Sequence, residues 1–85
     1  MATSYVVYIL QCRDGTLYTG WTNNLTARLA EHEVGRASRY TRSRLPIRLV
    51  YTEELPTASA ARRREAAIKK MSRAAKLVLI GNHRW

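Results

Sequence analysis

Residues 4–12 (SYVVYILQC) are β-branched and aromatic and predict a strand. Arg13-Asp14-Gly15 is a turn signal, and residues 16–22 (TLYTGWT) are strand-like again, so the chain opens on a β-hairpin. Two registers are compatible with Asp-Gly. A two-residue turn sets Tyr8 opposite Trp21 and puts Tyr8 and Tyr18 on opposite faces. A three-residue loop with Gly15 left-handed sets Tyr8 opposite Gly20, and Tyr8, Leu10, Cys12, Thr16, Tyr18 and Gly20 then share one face. Gly20 would leave an open spot there, where a ligand backbone could approach. Beyond the hairpin, Asn23 or Asn24 caps a helix that runs to about Val34, with Gly35 as its C′ residue and Leu25 and Leu29 in its apolar stripe. Residues 35–46 read as a basic loop ending at Pro46. Residues 47–54 (IRLVYTEE) predict a third strand, with Ile47, Leu49 and Tyr51 alternating against Arg48, Val50 and Thr52. Pro56-Thr57 opens a second helix to about Met71, and Ser72 caps a short third helix closed by Gly81. The order is ββαβαα. It predicts an α+β fold, a small antiparallel or mixed sheet with helices packed beside it.

Composition narrows the class. At 85 residues the chain has room for one domain, taken as residues 1–85, and no linker, repeat or low-complexity segment divides it. With 46% apolar residues it can still build a core. The run Leu77–Ile80 is far too short to cross a bilayer, and the N-terminus lacks the pattern of a signal peptide. The single cysteine, Cys12, excludes an intramolecular disulfide and fits a reducing, cytoplasmic compartment. One Cys and two separated His do not make a closed zinc site.

Charge points to a partner. Fifteen Lys and Arg against six Asp and Glu leave a formal net charge of +9, which calls for a polyanion. Twelve of the cations are Arg, whose planar fork matches phosphate oxygens and stacks on bases. They cluster as Arg36, Arg39, Arg42, Arg44 and Arg48 around Tyr40, and again as Arg62–Arg64 followed by Lys69, Lys70, Arg73 and Lys76. The plain alternative is a solvated basic surface. A membrane-binding helix is disfavoured, because the apolar side of residues 57–71 is mostly alanine.

Several polar residues sit where a core would prefer apolar ones. Arg28 and His32 are four apart on the first helix and share a face beside Leu25 and Leu29. Glu65 lies at the margin of the apolar side of its helix, near Ala58, Ala61 and Ile68. Together with Tyr8 and Tyr18 these are the groups phosphodiester cleavage needs. A carboxylate can hold a hard divalent cation, an arginine can stabilise charge on the phosphorane, and a Tyr or His can take a proton from water. Each also has an ordinary structural role: the tyrosines as core aromatics, Arg28 paired with Glu31 or Glu33, His32 as a packing residue, Glu65 paired with Lys69, Asn82 as a helix-terminus residue.

Read together, Val7-Tyr8-Ile9, Tyr18-Thr19-Gly20, Asn24-Leu25, Arg28-Leu29 with His32, and Arg64-Glu65 before Ile68-Lys69 resemble the GIY-YIG nuclease superfamily, in particular its small stand-alone bacterial branch. The resemblance runs from Tyr5 to about Asn82. It implies a three-stranded antiparallel sheet flanked by three helices. It implies further that Glu65 is the metal-binding carboxylate, for Mg²⁺ or Mn²⁺, and Arg28 the phosphate-stabilising arginine. Tyr18 matches the tyrosine that activates water and Tyr8 its neighbour. His32 matches a position that assists proton transfer or orients Tyr18, and Asn82 a late asparagine near the site of some members. Val7 and Thr19 depart from the motif letters without touching the catalytic side chains. Trp21 stands where some members carry a lysine. If Tyr8 and Tyr18 converge on one site, the hairpin takes the three-residue loop.

The resemblance makes DNA the expected substrate. With no groove-reading helix evident, arginine contacts to phosphates from Arg39, Arg42 and Arg44 should dominate. Trp21, Tyr40 and Trp85 are candidates to stack unpaired bases. Single-stranded or branched DNA is therefore favoured over a specific duplex site, in DNA processing, repair or uptake, alone or within a larger repair complex. The rival class is a non-catalytic nucleic-acid-binding module, associated with RNA or the ribosome.

Overall fold

A computed structural model describes residues 5–82. Its sheet has three strands, β1 (Tyr5–Gln11), β2 (Leu17–Thr22) and β3 (Arg48–Leu55), in the order β2-β1-β3, with both pairings antiparallel. The middle place of β1 explains its uninterrupted apolar run. A strand covered on both faces has no solvent side for polar residues, and Val6 to Leu10 are all buried. Val7 and Ile9 point to the main core, which they share with Val50, Tyr51, Ala61 and Ile68. Tyr8 points to the other face.

The hairpin takes the three-residue loop. Tyr8 lies opposite Gly20 and Leu10 opposite Tyr18. Gly15 has φ 85°, a left-handed value that costs glycine little. Its N–H donates to the Cys12 carbonyl, and the Cys12 N–H donates to Thr16 O. The Asp14 carboxylate accepts from the Thr16 N–H and hydroxyl, which stiffens the tip.

β3 departs from strict alternation. Ile9 pairs with Tyr51 but Leu10 pairs with Leu49, so Val50 is left over in a bulge. Val50 and Tyr51 are therefore buried side by side.

The helices begin where capping chemistry expects them. The Asn24 side chain accepts from the Ala27 N–H to open α1 (Leu25–Glu33), and Gly35 follows its end at φ 77°. A further helical turn, α2 (Arg39–Arg42), stands inside the stretch expected to be a basic loop. Ser38 starts it by accepting from the Tyr40 and Thr41 N–H groups, and the fully buried Thr41 anchors it. The order is thus ββααβαα, one short helix more than expected. Thr57 caps α3 (Ala58–Lys69) and Ser72 caps α4 (Arg73–Gly81). α3 covers the Val7–Ile9 face through Ala61 and Ile68. α1 covers the Tyr8 face through His32. Among the described residues no helix is long and apolar enough to cross a membrane.

Candidate active site

A buried, hydrogen-bonded polar group lies between β1, α1 and α2. The Tyr8 hydroxyl and His32 Nε2 are 2.9 Å apart, and His32 Nδ1 is 2.9 Å from Thr41 Oγ1. Tyr8 is 2% exposed, and His32 and Thr41 are fully buried. Gly20 makes room for this pair: a Cβ built there would fall 2.6 Å from the Tyr8 hydroxyl oxygen. The space expected to admit a ligand backbone is therefore filled by the Tyr8 phenol itself. Burial pushes the Tyr8 hydroxyl well above the usual tyrosine range; Tyr18, Glu65 and Glu31 add to the rise, and Arg28 opposes it. Burial, helped by the Arg28 charge, holds His32 below its ordinary value, so the ring is neutral near pH 7.

A second line of contacts runs from this pair to the hairpin tip. The Tyr18 ring meets the His32 ring edge-on at 5.2 Å and stacks against Tyr40 at 6.0 Å. The Arg44 guanidinium lies 3.9 Å from the centre of the Tyr40 ring and donates to Asp14 Oδ2 at 3.1 Å. Arg44 also donates to the Tyr40 carbonyl and the Ser43 hydroxyl. Arg44 was expected among the phosphate contacts; here its guanidinium braces α2 against the Asp14 turn. Tyr40, expected to stack a base, already has Tyr18 and Arg44 against its ring and is 37% exposed.

Arg28 and Glu65 are near this group without being bonded to it. Both charges act on the Tyr8 hydroxyl. Arg28 pairs with Glu31 at 3.6 Å, and Glu65 pairs with Lys69 at 3.6 Å, the two helix-surface pairings the spacing allowed. Both are loose and partly solvated, hence weak enough to be exchanged for a ligand. Glu65 stands on α3, which covers the opposite face of the sheet, and it acts on the Tyr8 hydroxyl through its charge. Its neighbour Arg64 donates to Glu53 Oε1 at 2.9 Å, and the Tyr51 hydroxyl donates to the same oxygen at 2.6 Å, which fixes α3 to β3. Among the described residues no three His, Cys, Asp or Glu gather into a protein cage for a metal. A lone carboxylate with 21% of its side chain exposed fits instead a hard divalent ion that keeps most of its waters and takes further oxygens from a substrate phosphate.

The remaining expected contacts scatter. Trp21 packs on the core side of the sheet, opposite Val7, because alternation sends it away from Tyr18 and Gly20. Trp21, expected as an exposed aromatic that could stack bases, thus stands on the other face of the sheet from the Tyr8–His32 pair. Arg39 and Arg42 are exposed on α2. Asn82 caps the end of α4 through its backbone N–H. Trp85 lies outside the described residues. Thr41 was missed altogether: in a basic run it reads as one more surface polar residue, and no spacing rule marks it. A surface depression of about 520 Å³ lined by Glu33, Leu45, Pro46 and Ile47 shares no residue with the group; concavity alone does not locate the chemistry.

Comparison with known proteins bears on the family and the fold. Residues 4–77 match the family model described as the GIY-YIG catalytic domain. A UPF0213 protein of Syntrophus aciditrophicus is 54% identical over 81 residues, covering 94% of this chain and 92% of its own. A UPF0213 protein of Natronomonas pharaonis is 49% identical over 82 residues, 96% of each chain. Among solved structures, the solution NMR structure of a UPF0213 protein from Bacillus halodurans has a TM-score of 0.61 at 41% identity, covering 92% of this chain and 83% of that one.

Proposed function

Because the chain belongs to the GIY-YIG family, a nuclease superfamily whose members generally use divalent metals, we propose that it is a metal-dependent DNA endonuclease. The observation that carries the proposal is the buried Tyr8–His32 hydrogen bond lying in the fields of Arg28 and Glu65. Glu65 is the residue that would hold Mg²⁺ or Mn²⁺. Such an ion supplies Lewis-acid polarisation of the phosphate and a more acidic bound water. Arg28 exchanges Glu31 for the scissile phosphate and meets the charge that develops on it. Tyr18, the half-buried phenol, meets the attacking water and takes its proton, and the buried Tyr8–His32 pair braces the Tyr18 ring from behind. His32 holds Tyr8 by a hydrogen bond and meets the Tyr18 ring edge-on, which suits the expected part of orienting Tyr18. Arg39 and Arg42 contact phosphates of a single-stranded or branched DNA with little sequence preference. Residues 1–85 act as one catalytic unit, in cytoplasmic DNA processing, repair or uptake.

Labelled single-stranded, flapped and duplex DNA, incubated with Mg²⁺ or with EDTA, tests the proposal. Cutting by the wild type is expected with metal only, and Glu65→Ala should bind DNA but not cut it. Cutting that survives in Glu65→Ala, or binding without any cutting by the wild type, would favour the non-catalytic module. Cutting of duplex alone would sink the substrate preference.

A further inference from the structure

We infer that Thr41 is a positioning residue that fixes the tautomer of His32, and so decides which way the Tyr8–His32 hydrogen bond runs. The inference deepens the proposed nuclease site and rests on it only for its catalytic consequence; the hydrogen-bond direction stands on geometry alone.

A threonine hydroxyl has one proton to give. Thr41 Oγ1 has two neighbours that could take it, the Ser38 carbonyl at 3.4 Å and His32 Nδ1 at 2.9 Å. Suppose Thr41 donates to His32. Nδ1 is then the acceptor, the ring proton sits on Nε2, and it points at the Tyr8 oxygen. The Tyr8 hydroxyl proton would be left without an acceptor, because His32 is the one hydrogen-bond partner of that hydroxyl among the described residues. With Tyr8 at 2% exposure, water does not readily replace it, and an unmade buried hydrogen bond is costly. Now suppose Thr41 donates to the Ser38 carbonyl. Its lone pair accepts from Nδ1–H, Nε2 is bare, and the Tyr8 hydroxyl donates to Nε2. Every proton in the chain Tyr8–His32–Thr41–Ser38 then has an acceptor. The second arrangement is the only complete one.

The consequence is chemical. With Nε2 bare, His32 holds the Tyr8 hydroxyl as a hydrogen-bond donor and leaves the phenol oxygen able to accept, while Nδ1–H stays bonded to Thr41 throughout. With the other tautomer Nε2 already carries a proton and cannot accept from the Tyr8 hydroxyl. The same residue ties the site to the basic surface. Thr41 lies within α2 between Arg39 and Arg42, both exposed. The short helix therefore presents cations outward and holds the His32 tautomer inward.

Nitrogen-15 NMR of the two histidine ring nitrogens reads the tautomer directly. A His83→Gln background leaves His32 as the single histidine. The neutral wild-type ring is expected to carry its proton on Nδ1. In Thr41→Val, which keeps the shape and loses the hydroxyl, either tautomer leaves one donor without an acceptor, so the exclusive Nδ1–H state should give way to a mixture of tautomers, and Thr41→Ser should restore Nδ1–H. In DNA cleavage, Thr41→Val should lower kcat at least tenfold with KM little changed, and Thr41→Ser should recover most of it. An Nε2–H ring in the wild type, or an exclusively Nδ1–H ring that persists in Thr41→Val, overturns the inference. If Thr41→Val does not fold, Thr41→Ala carries the same reading, and the wild-type spectrum alone still decides the tautomer. A protein that shows the expected tautomers but cuts no DNA would refute the nuclease proposal and leave the role of Thr41 in place.

Discussion

Gly20→Ala should disrupt the site from a residue that takes no part in chemistry. The added methyl would lie 2.6 Å from the Tyr8 Oη, 2.7 Å from Cζ and 3.2 Å from Cε1. Carbon contacts relax near 3.5–4.0 Å, so the phenol must withdraw by roughly 1 Å. The 2.9 Å bond to His32 then stretches beyond hydrogen-bonding range. Losing a buried hydrogen bond costs ~1–3 kcal/mol, and overpacking a core costs a similar amount. The two overlap, since withdrawal relieves the clash by breaking the bond, and removing glycine freedom from the unfolded chain returns ~0.4–1 kcal/mol. The net expectation is a loss of ~1–3 kcal/mol. At ~4–8 °C per kcal/mol for a domain of this size, Tm should fall by roughly 5–20 °C. Urea unfolding of the wild type, Gly20→Ala, Tyr8→Leu and the double variant measures the coupling. Leucine lacks all three clashing atoms, so Gly20→Ala should be nearly neutral in the Tyr8→Leu background. An equal cost in both backgrounds, or no cost in the wild type, would refute the packing of Tyr8 over Gly20. The displaced hydroxyl should also disturb Tyr18 and so lower DNA cleavage by ~10²–10⁴-fold.

Three further outcomes are expected. Arg39→Ala and Arg42→Ala should each weaken binding to single-stranded DNA and reduce the slope of log K against log salt by ~0.7, while Arg28→Ala should mainly reduce turnover at saturating DNA; salt titrations and single-turnover rates separate the two. His32 titrates below its ordinary value of 6.5 when folded, so the unfolded chain binds the proton more readily. Its contribution is therefore complete above pH 6.5 and is lost as pH falls below it; unfolding free energies from pH 8 to 5 should show this fall in the wild type and a flatter profile in His32→Gln. Glu53→Gln should cost ~0.5–1 kcal/mol, since the Glu53–Arg64 pair is about a third exposed and its charges are screened; a cycle with Arg64→Met checks that the loss belongs to the pair, and no coupling would deny the latch between α3 and β3.

Much of the framework was legible in the chain. The apolar run at Tyr5–Gln11, the Asp14-Gly15 turn, and the caps Asn24, Thr57 and Ser72 reported their elements, because strand propensity, turn chemistry and helix capping are satisfied by neighbours in sequence. The three-residue loop carried the register, and by strand alternation that register sets Trp21 on the face away from Tyr18. Resemblance to a family brought Tyr8, Tyr18, Arg28, His32 and Glu65 together as candidates. Tertiary structure decided what each of them touches. The bulge at Val50, the burial of Thr41 beneath a basic turn, the diversion of Arg44 to Asp14 and Tyr40, and the choice of Tyr8 over Tyr18 as partner of His32 all depend on surfaces that meet only after folding. A residue's backbone preference is a local property that its neighbours disclose. A side chain's hydrogen-bond partner is settled by which faces pack and how much water they exclude, and no pattern along the chain records that.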